Sequence, residues 1–310
     1  MYPWNLTRIM PAEEGAQTPG VQVPAFAILS SAGADEERFD DPNILSIAGS
    51  DSSGGAGIQA DIKAISANGG YAMTAITALT AQNTRGVSSV HLCPPDMLLA
   101  QIAALRADVR IDAVKIGMLG DVALTRAVAG ALEGLVCPIV LDPVMVAKGG
   151  DRLLAEPAVM ALRETLLPRA ALVTPNLPEA ADLLGQAEAQ SREDMHAQAR
   201  ALLALGSGAV LLKGGHLAGE ICPDLLVTSA ADIWLEAPRI ATGNTHGTGC
   251  TLSSAIATRL GRGHPLEHAV PGAKAYITGA IGGADRLDVG EGHGPVHHFH
   301  AVEAQIAAGP

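Results

Sequence analysis

The stretch "NILSIAGSDSSGGAGIQADIKAISANGG", residues 43–70, joins two kinds of local pattern. Its short apolar run, "ILSIA", ends in a glycine and polar residues, which is typical of a buried parallel strand that leads into a loop. Ile58, Ile62 and Ile65 then recur at helical spacing, and two glycines end that helix. The stretch therefore predicts a strand, a glycine-rich loop and a helix in succession.

The same alternation continues along the chain. Further predicted strands are "YAMTAITALTA", "DAVKIGML", "CPIVLDPVM", "AALVTPN" and "AVLLKGGH". Predicted helices are "DMLLAQIAALRAD", "VALTRAVAGALEG", "PAVMALRETLLP", "PEAADLLG", "MHAQARALLALG", and residues 251–260 and 266–284. A candidate hairpin, "DLLVTS" with "DIWLEAP", interrupts the pattern. Such alternation predicts an α/β fold with a mostly parallel central sheet and helices on both faces.

Composition and charge narrow the class of protein. The chain has 310 residues, is 48% hydrophobic and carries a formal net charge of −12. This composition indicates a globular chain, and the negative charge makes nucleic acid or an anionic membrane an unexpected partner. No apolar run reaches membrane-spanning length, and the four cysteines show neither metal-site nor disulfide spacing. We therefore expect a cytoplasmic protein without a disulfide framework.

The two ends of the chain differ from its centre. Residues 1–42 are rich in proline, glycine and acidic residues, and we expect a poorly ordered extension there, or an arm that packs on a neighbouring subunit. They show no secretory signal pattern. The expected organisation is this extension, one domain over 43–301 and a tail over 302–310.

The loops that follow the predicted strands carry the polar residues. In open parallel sheets, ligands bind beyond the carboxyl ends of the strands. The loops there are "GSDSSGGAG", "AQNT", "GML", "DPVM", "TPNLPE" and "KGGH". None contains GxxxxGK[ST], and "GSDSSGGAG" does not fit the GxGxxG pattern of dinucleotide-binding proteins.

The sequence "GTGC" precedes a predicted helix and indicates an anion site. Gly247 and Gly249 allow backbone N–H groups to approach a ligand, and the helix dipole favours negative charge there. Cys250 follows in the first turn, where the dipole predicts a lowered thiol pKa. The alternatives are a glycine-rich helix start without a ligand and a small thiol packed against the sheet. Packing is the expected role of Cys93, Cys137 and Cys222.

Three oxygen-bearing side chains and a lysine follow successive predicted strands. Asp142, Asn176 and Glu179 offer ligands suited to Mg²⁺, and Lys213 could place a positive charge on phosphate. Helix capping by Asn176 and Glu179, and a solvated lysine, remain the alternatives. The histidines of "GPVHHFH" lack a carboxylate or cysteine at ligand spacing, which favours a structural segment over a metal site.

Six motifs in one order carry a resemblance to a known family. They are "SIAGSDSSGGAGIQADIKAISANGGYAMTAITALTAQNTRGV", "VKIGMLGD", "LDPVMVAKGGDRLL", "VTPNLPEAADLL", "VLLKGGHL" and "NTHGTGCTLSSAIA". Together they resemble the hydroxymethylpyrimidine/phosphomethylpyrimidine kinases of thiamine biosynthesis over residues 43–301. The resemblance implies a ribokinase-like fold, a three-layer α/β/α sandwich. It also implies ATP, Mg²⁺, a homodimer and two successive phosphorylations of 4-amino-5-hydroxymethyl-2-methylpyrimidine.

The resemblance also implies roles for individual residues. The pyrimidine would be held by Ala56, Thr80, Gln82, Met118 and, directly or through another group, Asp61. A carboxamide such as Gln82 can both donate to and accept from an aminopyrimidine edge. ATP and its phosphates would contact Asn176, Lys213 and Thr245, and Mg²⁺ would be held by Asp142 and Glu179, partly through water. The anion hole would be Gly247, Thr248 and Gly249, and the catalytic residue Cys250.

Departures and alternatives accompany the resemblance. Gly243 stands where a basic residue is frequent, Gly149 replaces a frequent serine, and "AKGGDRLL" is a plausible lid. A pyridoxal kinase of the same fold and a non-catalytic pyrimidine-binding protein are the competing functions. Gln82 and Cys250 favour the pyrimidine kinase.

Overall fold

The structure is a computed structural model that describes residues 41–145 and 154–302. Some of the predicted features lie almost wholly outside the described residues. They are the N-terminal extension, the lid "AKGGDRLL" with Gly149, and the tail. The strands are β1 (Asn43–Ala48), β2 (Tyr71–Ile76), β3 (Ala78–Asn83), β4 (Gly86–Leu92), β5 (Ala113–Ile116), β6 (Ile139–Leu141), β7 (Leu172–Val173), β8 (Ala209–Lys213), β9 (Ile221–Thr228) and β10 (Asp232–Pro238). The helices are α1 (Gly57–Ala67), α2 (Pro95–Asp108), α3 (Val122–Ala131), α4 (Glu156–Thr165), α5 (Leu177–Leu184), α6 (Arg192–Leu203), α7 (Thr248–Gly261) and α8 (Leu266–Gly282).

Eight strands form one sheet in the order β10-β9-β8-β7-β6-β5-β1-β2. Six neighbouring strands are parallel to one another, in the order β8-β7-β6-β5-β1-β2. Strands β9 and β10 are antiparallel to their neighbours. The candidate hairpin is therefore confirmed, and it extends the main sheet at one edge. The predicted mostly parallel sheet is confirmed as well.

Alternate residues of the central strands point to two separate hydrophobic cores. In β1, Ile44 packs with residues of α1, α7 and α8, whereas Leu45 and Ile47 pack with residues of α2 to α6. Because successive side chains of a strand face opposite ways, one strand can serve both cores. This arrangement confirms the three-layer α/β/α sandwich.

One predicted strand is wrong in its extent. "YAMTAITALTA" breaks at Thr77, whose buried hydroxyl donates to the carbonyl oxygen of Met118 at 2.6 Å. The second half becomes β3, which pairs with β4 in a separate two-stranded sheet. The sequence analysis did not identify β4. This small sheet places Thr80 and Gln82 above the carboxyl ends of the main strands.

Two helix predictions need smaller corrections. Ile62 is 40% exposed, so it does not share the buried face of α1 with Ile58 and Ile65. Helix α7 begins at Thr248, three residues before the predicted start, with Gly247 as its N-cap. The "GTGC" sequence therefore forms the first helical turn itself. Among the described residues, no helix combines the length and hydropathy that a membrane crossing needs.

Candidate active site

A cavity of about 700 Å³ opens at the carboxyl ends of the parallel strands. Strand-end residues Asp142, Asn176 and Lys213 lie on its wall, together with Gln82 and the first turn of α7. All the predicted site residues line this cavity except Asp61. The topology therefore gathers residues that are up to about two hundred positions apart in sequence.

The predicted anion hole, residues 247–249, which we call the anion loop, fits closely against the loop after β1. Gly247 has a φ of 77°, and a Cβ at this position would lie 1.8 Å from the carbonyl oxygen of Gly55. Only glycine meets both conditions. The hydroxyl of Thr248 donates to the carbonyl oxygen of Thr245 at 2.7 Å, which closes the turn. The backbone N–H of Thr248 also donates to the Thr245 carbonyl oxygen, at 3.4 Å. The N–H groups at a helix start such as this one suit an anion.

Cys250 lies in the first turn of α7, at the cavity wall. Burial raises the pKa of its thiol to about 11, although the nearby Lys115 ammonium opposes this shift. The prediction of a lowered pKa is therefore wrong, because desolvation of the sulfur outweighs the helix dipole. At neutral pH the sulfur carries its hydrogen, and it accepts a hydrogen bond from the backbone N–H of Gly57.

Lys213, Asp142 and Glu179 form a charged cluster beside the anion loop. The Lys213 Nζ lies 2.9 Å from Asp142 Oδ1 and 3.9 Å from Glu179 Oε2. Burial opposes ionisation of Asp142, but the charges of Lys213 and Lys115 hold its pKa below the usual value. Burial raises the pKa of Glu179 to about 7, and the Asp142 charge adds to this effect while Lys213 opposes it. The two carboxylates thus differ in how readily they ionise.

Asn176 and Glu179 also form a capping box at the start of α5. Glu179 N donates to Asn176 Oδ1 at 2.9 Å, and Asn176 N donates to Glu179 Oε2 at 2.8 Å. The capping alternative from the sequence is therefore correct for both residues. The Glu179 carboxylate also accepts a hydrogen bond from the backbone N–H of Met145. The carboxylate oxygens of Asp142 and Glu179 suit a hard divalent cation that keeps most of its water.

Asp61 is buried behind the cavity and does not lie on its wall. Both carboxylate oxygens are 2.9 Å from Lys115 Nζ, and the hydroxyls of Ser46 and Ser254 donate to them at 2.6 and 2.8 Å. Asp61 and Lys115 are fully buried. Asp61 therefore neutralises a buried lysine near Cys250. Its part in holding the pyrimidine, directly or through another group, stays a prediction. The sequence analysis treated Lys115 only as part of a strand.

Two further wall residues were missed by the sequence analysis. Asp51 Oδ2 lies 2.8 Å from His246 Nε2, across 195 positions of sequence. The Asp51 carboxylate also accepts from the backbone N–H groups of Ser53, Gly55 and Ala56. Burial opposes ionisation, but the bonds from His246 and Ser53 lower the Asp51 pKa to about 2. The spacing of Asp51 and Ser53 is that of an Asx-turn, a signal that was available in the sequence.

The end of the cavity away from Gln82 is more apolar. Ile240, Ile277 and Ile281 line it, next to Lys274 and Asp224. Lys274 Nζ lies 2.6 Å from Asp224 Oδ2. Cys222 also lines this end, whereas Cys93 and Cys137 pack against the core of α2 to α6 as expected. The cavity thus has a polar end at Gln82, a charged middle and an apolar end.

The histidines near the C-terminus are structural. His297 and His298 are buried, and His298 Nε2 lies 3.0 Å from the hydroxyl of Thr251 in α7. Among the described residues, no group of three or more histidine, cysteine or acidic side chains could hold a metal ion, these histidines included. The segment packs against α7 and α8 and so supports the anion loop.

Solved structures with this fold define the class. The ADP complex of Bacillus subtilis pyridoxal kinase is 37% identical, with a TM-score of 0.79 over 84% of this chain and 99% of the other. Phosphomethylpyrimidine kinase from Clostridium difficile is 41% identical, with a TM-score of 0.69 over 78% of this chain and 100% of the other. The fold and the site place the chain among the ribokinase-like kinases.

Sequence comparison narrows this class to one family. The family model described as phosphomethylpyrimidine kinase matches residues 51–297. The hydroxymethylpyrimidine/phosphomethylpyrimidine kinase of Escherichia coli is 53% identical over 260 residues, which cover 84% of this chain and 98% of that protein. The chain belongs to the phosphomethylpyrimidine kinase family.

Proposed function

We propose that this protein transfers the terminal phosphoryl group of ATP to 4-amino-5-hydroxymethyl-2-methylpyrimidine and then to its monophosphate, in thiamine biosynthesis. One observation carries the proposal. A single cavity joins a carboxamide at one end to an anion loop and a carboxylate–lysine cluster in its middle. The family membership and the Escherichia coli relative support the same substrate.

The polar end of the cavity is the proposed acceptor site. Gln82 supplies both a donor and an acceptor, and Thr80, Ala56 and Met118 complete the wall around it. Cys250 lies between this end and the anion loop. Its neutral thiol orients the hydroxyl of the pyrimidine by hydrogen bonding and does not act as a strong base.

The charged middle and the apolar end are the proposed nucleotide site. Ile240, Ile277 and Ile281 provide an apolar surface for the adenine base of ATP. Asn176 and Thr245 lie on the cavity wall where the ATP phosphates are proposed to bind. Lys213 adds positive charge beside them. The ADP complex of the related pyridoxal kinase supports the use of an adenine nucleotide.

Asp142 and Glu179 are the residues that would hold Mg²⁺. When bound, the cation would neutralise charge on the phosphates. The backbone N–H groups of Gly247, Thr248 and Gly249 would stabilise the transferring phosphoryl group. The Lys213 ammonium would neutralise charge on that group as it moves to the acceptor oxygen. Since these donors belong to a helix start held against Gly55, little reorganisation is needed during transfer.

A coupled assay for ADP release tests the proposal. The purified full chain would be offered ATP and Mg²⁺ with hydroxymethylpyrimidine, its monophosphate or pyridoxal, each separately. We expect turnover with both pyrimidines and a strong loss in Lys213→Met. No turnover with either pyrimidine would refute the proposal, and binding of the pyrimidine without turnover would instead identify a non-catalytic binding protein.

A pyridoxal kinase is the second candidate function. The observation that favours it is the TM-score of 0.79 with a pyridoxal kinase at 37% identity. In the same assay, a higher kcat/KM for pyridoxal than for hydroxymethylpyrimidine would establish it as the main activity.

We further propose that the protein is a cytoplasmic homodimer. The four cysteines are free, which suits a reducing compartment. Leu79 of β3 and Val90 of β4 expose apolar surface on the small sheet, where a second copy could pack. Sedimentation velocity would distinguish a dimer from a monomer.

A further inference from the structure

The hydrogen-bond chemistry of His246 fixes which of its ring nitrogens carries hydrogen. Its Nε2 lies 2.8 Å from Asp51 Oδ2, and the low pKa of Asp51 keeps that carboxylate ionised. An ionised carboxylate can only accept hydrogen bonds, so Nε2 of His246 must carry a hydrogen. Both residues are buried at the cavity wall, since Asp51 is 2% and His246 is 7% exposed.

This hydrogen in turn decides how the Gln82 carboxamide is oriented. Gln82 Nε2 lies 3.3 Å from His246 Nε2, and Gln82 Oε1 lies 3.3 Å from the Thr80 hydroxyl. A half-turn of the amide exchanges its two ends and leaves these distances nearly unchanged. Thr80 gives its own hydrogen to the carbonyl oxygen of Ser50 at 2.8 Å, so it can only accept from the amide. An NH₂ group facing His246 would oppose donor to donor. Both neighbours are satisfied only when Oε1 of Gln82 faces His246 and its NH₂ group faces Thr80.

A carboxamide held in this way binds an aminopyrimidine in one orientation. The 4-amino group and the adjacent ring nitrogen offer a donor and an acceptor side by side, which a carboxamide matches with two hydrogen bonds, as it does on adenine. The amino group then lies on the His246 side. The hydroxymethyl group is attached to the next ring carbon, so it points toward the anion loop that follows His246 in sequence.

We propose that His246, held by Asp51, is a positioning residue that sets the orientation of Gln82 and so makes recognition of the 4-amino group productive. The inference rests on the proposed pyrimidine kinase function. Without the Nε2 hydrogen, Gln82 is free to reverse. A reversed carboxamide would turn the hydroxymethyl group toward Thr80, away from Cys250.

The test compares hydroxymethylpyrimidine with the analogue that lacks the 4-amino group, 5-hydroxymethyl-2-methylpyrimidine. In the wild-type protein we expect kcat/KM to fall by about 10-fold to 100-fold for the analogue, as for loss of a bidentate pair. In His246→Phe this ratio should fall to near 1. His246→Gln retains a donor toward Asp51 and should keep most of the ratio.

A matched control comes from a second histidine–carboxylate pair. His196 Nε2 lies 2.7 Å from Asp232 Oδ2, outside the residues that line the cavity. His196→Phe should leave the ratio unchanged. If His246→Phe lowers both activities by the same factor, so that the ratio stays intact, His246 has only a structural role and the inference fails.

A measurement on the wild-type protein covers the case in which a His246 variant does not fold. ¹⁵N NMR of labelled histidine should show a hydrogen on Nε2 of His246 at pH 7, and its absence would overturn the inference. The two proposals fail separately. No turnover of either pyrimidine refutes the function, whereas turnover with an unchanged ratio refutes only the role of His246.

Discussion

Replacing Lys115 with methionine is expected to lower the free energy of unfolding by about 3–5 kcal/mol, which is typical for breaking a buried ion pair on one side. Lys115 and Asp61 are fully buried, and the ammonium contacts both carboxylate oxygens at 2.9 Å. Methionine has a similar length and fits the same space. The loss would therefore come from the stranded charge on Asp61 and only to a small extent from packing.

The surroundings of Asp61 set the size of this loss. After the substitution, the carboxylate keeps only the two hydroxyl donors of Ser46 and Ser254. These two bonds are present before and after the substitution, so they do not replace the lost ammonium, and an unpaired buried ion costs several kcal/mol. Adding Asp61→Asn to Lys115→Met removes the charge. The amide oxygen accepts from one hydroxyl, and the NH₂ group can donate to the oxygen of the other. The double variant should recover most of the lost stability.

Urea unfolding of the two single variants, the double variant and a control measures this coupling. Arg126→Met is a suitable control, because it removes one positive charge from an exposed position of α3. A loss below about 1 kcal/mol in Lys115→Met, or a double variant no more stable than the single one, would refute the reasoning. The double variant should also keep its KM for hydroxymethylpyrimidine. A large rise in KM would show that Asp61 contacts the substrate.

Four further outcomes follow from the structure. Because burial raises the pKa of Cys250 to about 11, iodoacetamide should alkylate it slowly at pH 7, and mass spectrometry should show the rate still rising above pH 9; a plateau below pH 8 would contradict this. Cys250→Asp places a fixed charge beside the acceptor, so it should slow the second phosphorylation more than the first, and equal losses in single-turnover assays would count against that idea. Gly247→Ala would meet the carbonyl oxygen of Gly55 at 1.8 Å, so kcat should fall at least about 100-fold, as for loss of an oxyanion donor; near-normal kcat would show that the loop adapts. Burial lowers the pKa of His298 to about 4, so the wild-type protein should lose stability as the pH falls from 6.5 toward 4, and His298→Asn should show a flatter dependence in urea midpoints.

The strand-end residues of the site could be predicted from the sequence for a simple reason. Parallel strands end at one edge of a sheet, so Asp142, Asn176 and Lys213 had to meet there once the alternation of strands and helices was identified. The capping role of Asn176 and Glu179 was also readable, since it depends on a local spacing of three residues.

The properties that depend on distant contacts could not be predicted. The pKa of Cys250 depends on how far the fold buries the sulfur, and on the opposing effects of the Lys115 charge and the Gly57 N–H. Burial of Asp61 depends on Lys115 and Ser254, which come from two other elements. A single charged residue in a helix carries no sign of such partners, so the burial of Asp61 could not be predicted from the sequence.

The break at Thr77 was hidden for a related reason. The segment around it is uniformly rich in residues that favour strands, and β2 ends where Thr77 bonds to Ala48, Cys93 and Met118. Strand β4 has a mostly exposed burial pattern, so it lacks the apolar alternation that identifies a strand.

The pairing of α1 with α7 has a consequence for how the protein is made. These helices pack together but lie about 180 residues apart, and at roughly 5–20 residues per second the ribosome needs on the order of ten seconds or more to supply the second one. During that interval the part of α1 that packs on α7 has no cover, and neither the anion loop nor His246 exists to complete the cavity. A nascent chain released before α7 is made would therefore expose apolar surface and could not gain stability from its substrates. We expect chains truncated there to be bound by chaperones and degraded by proteases.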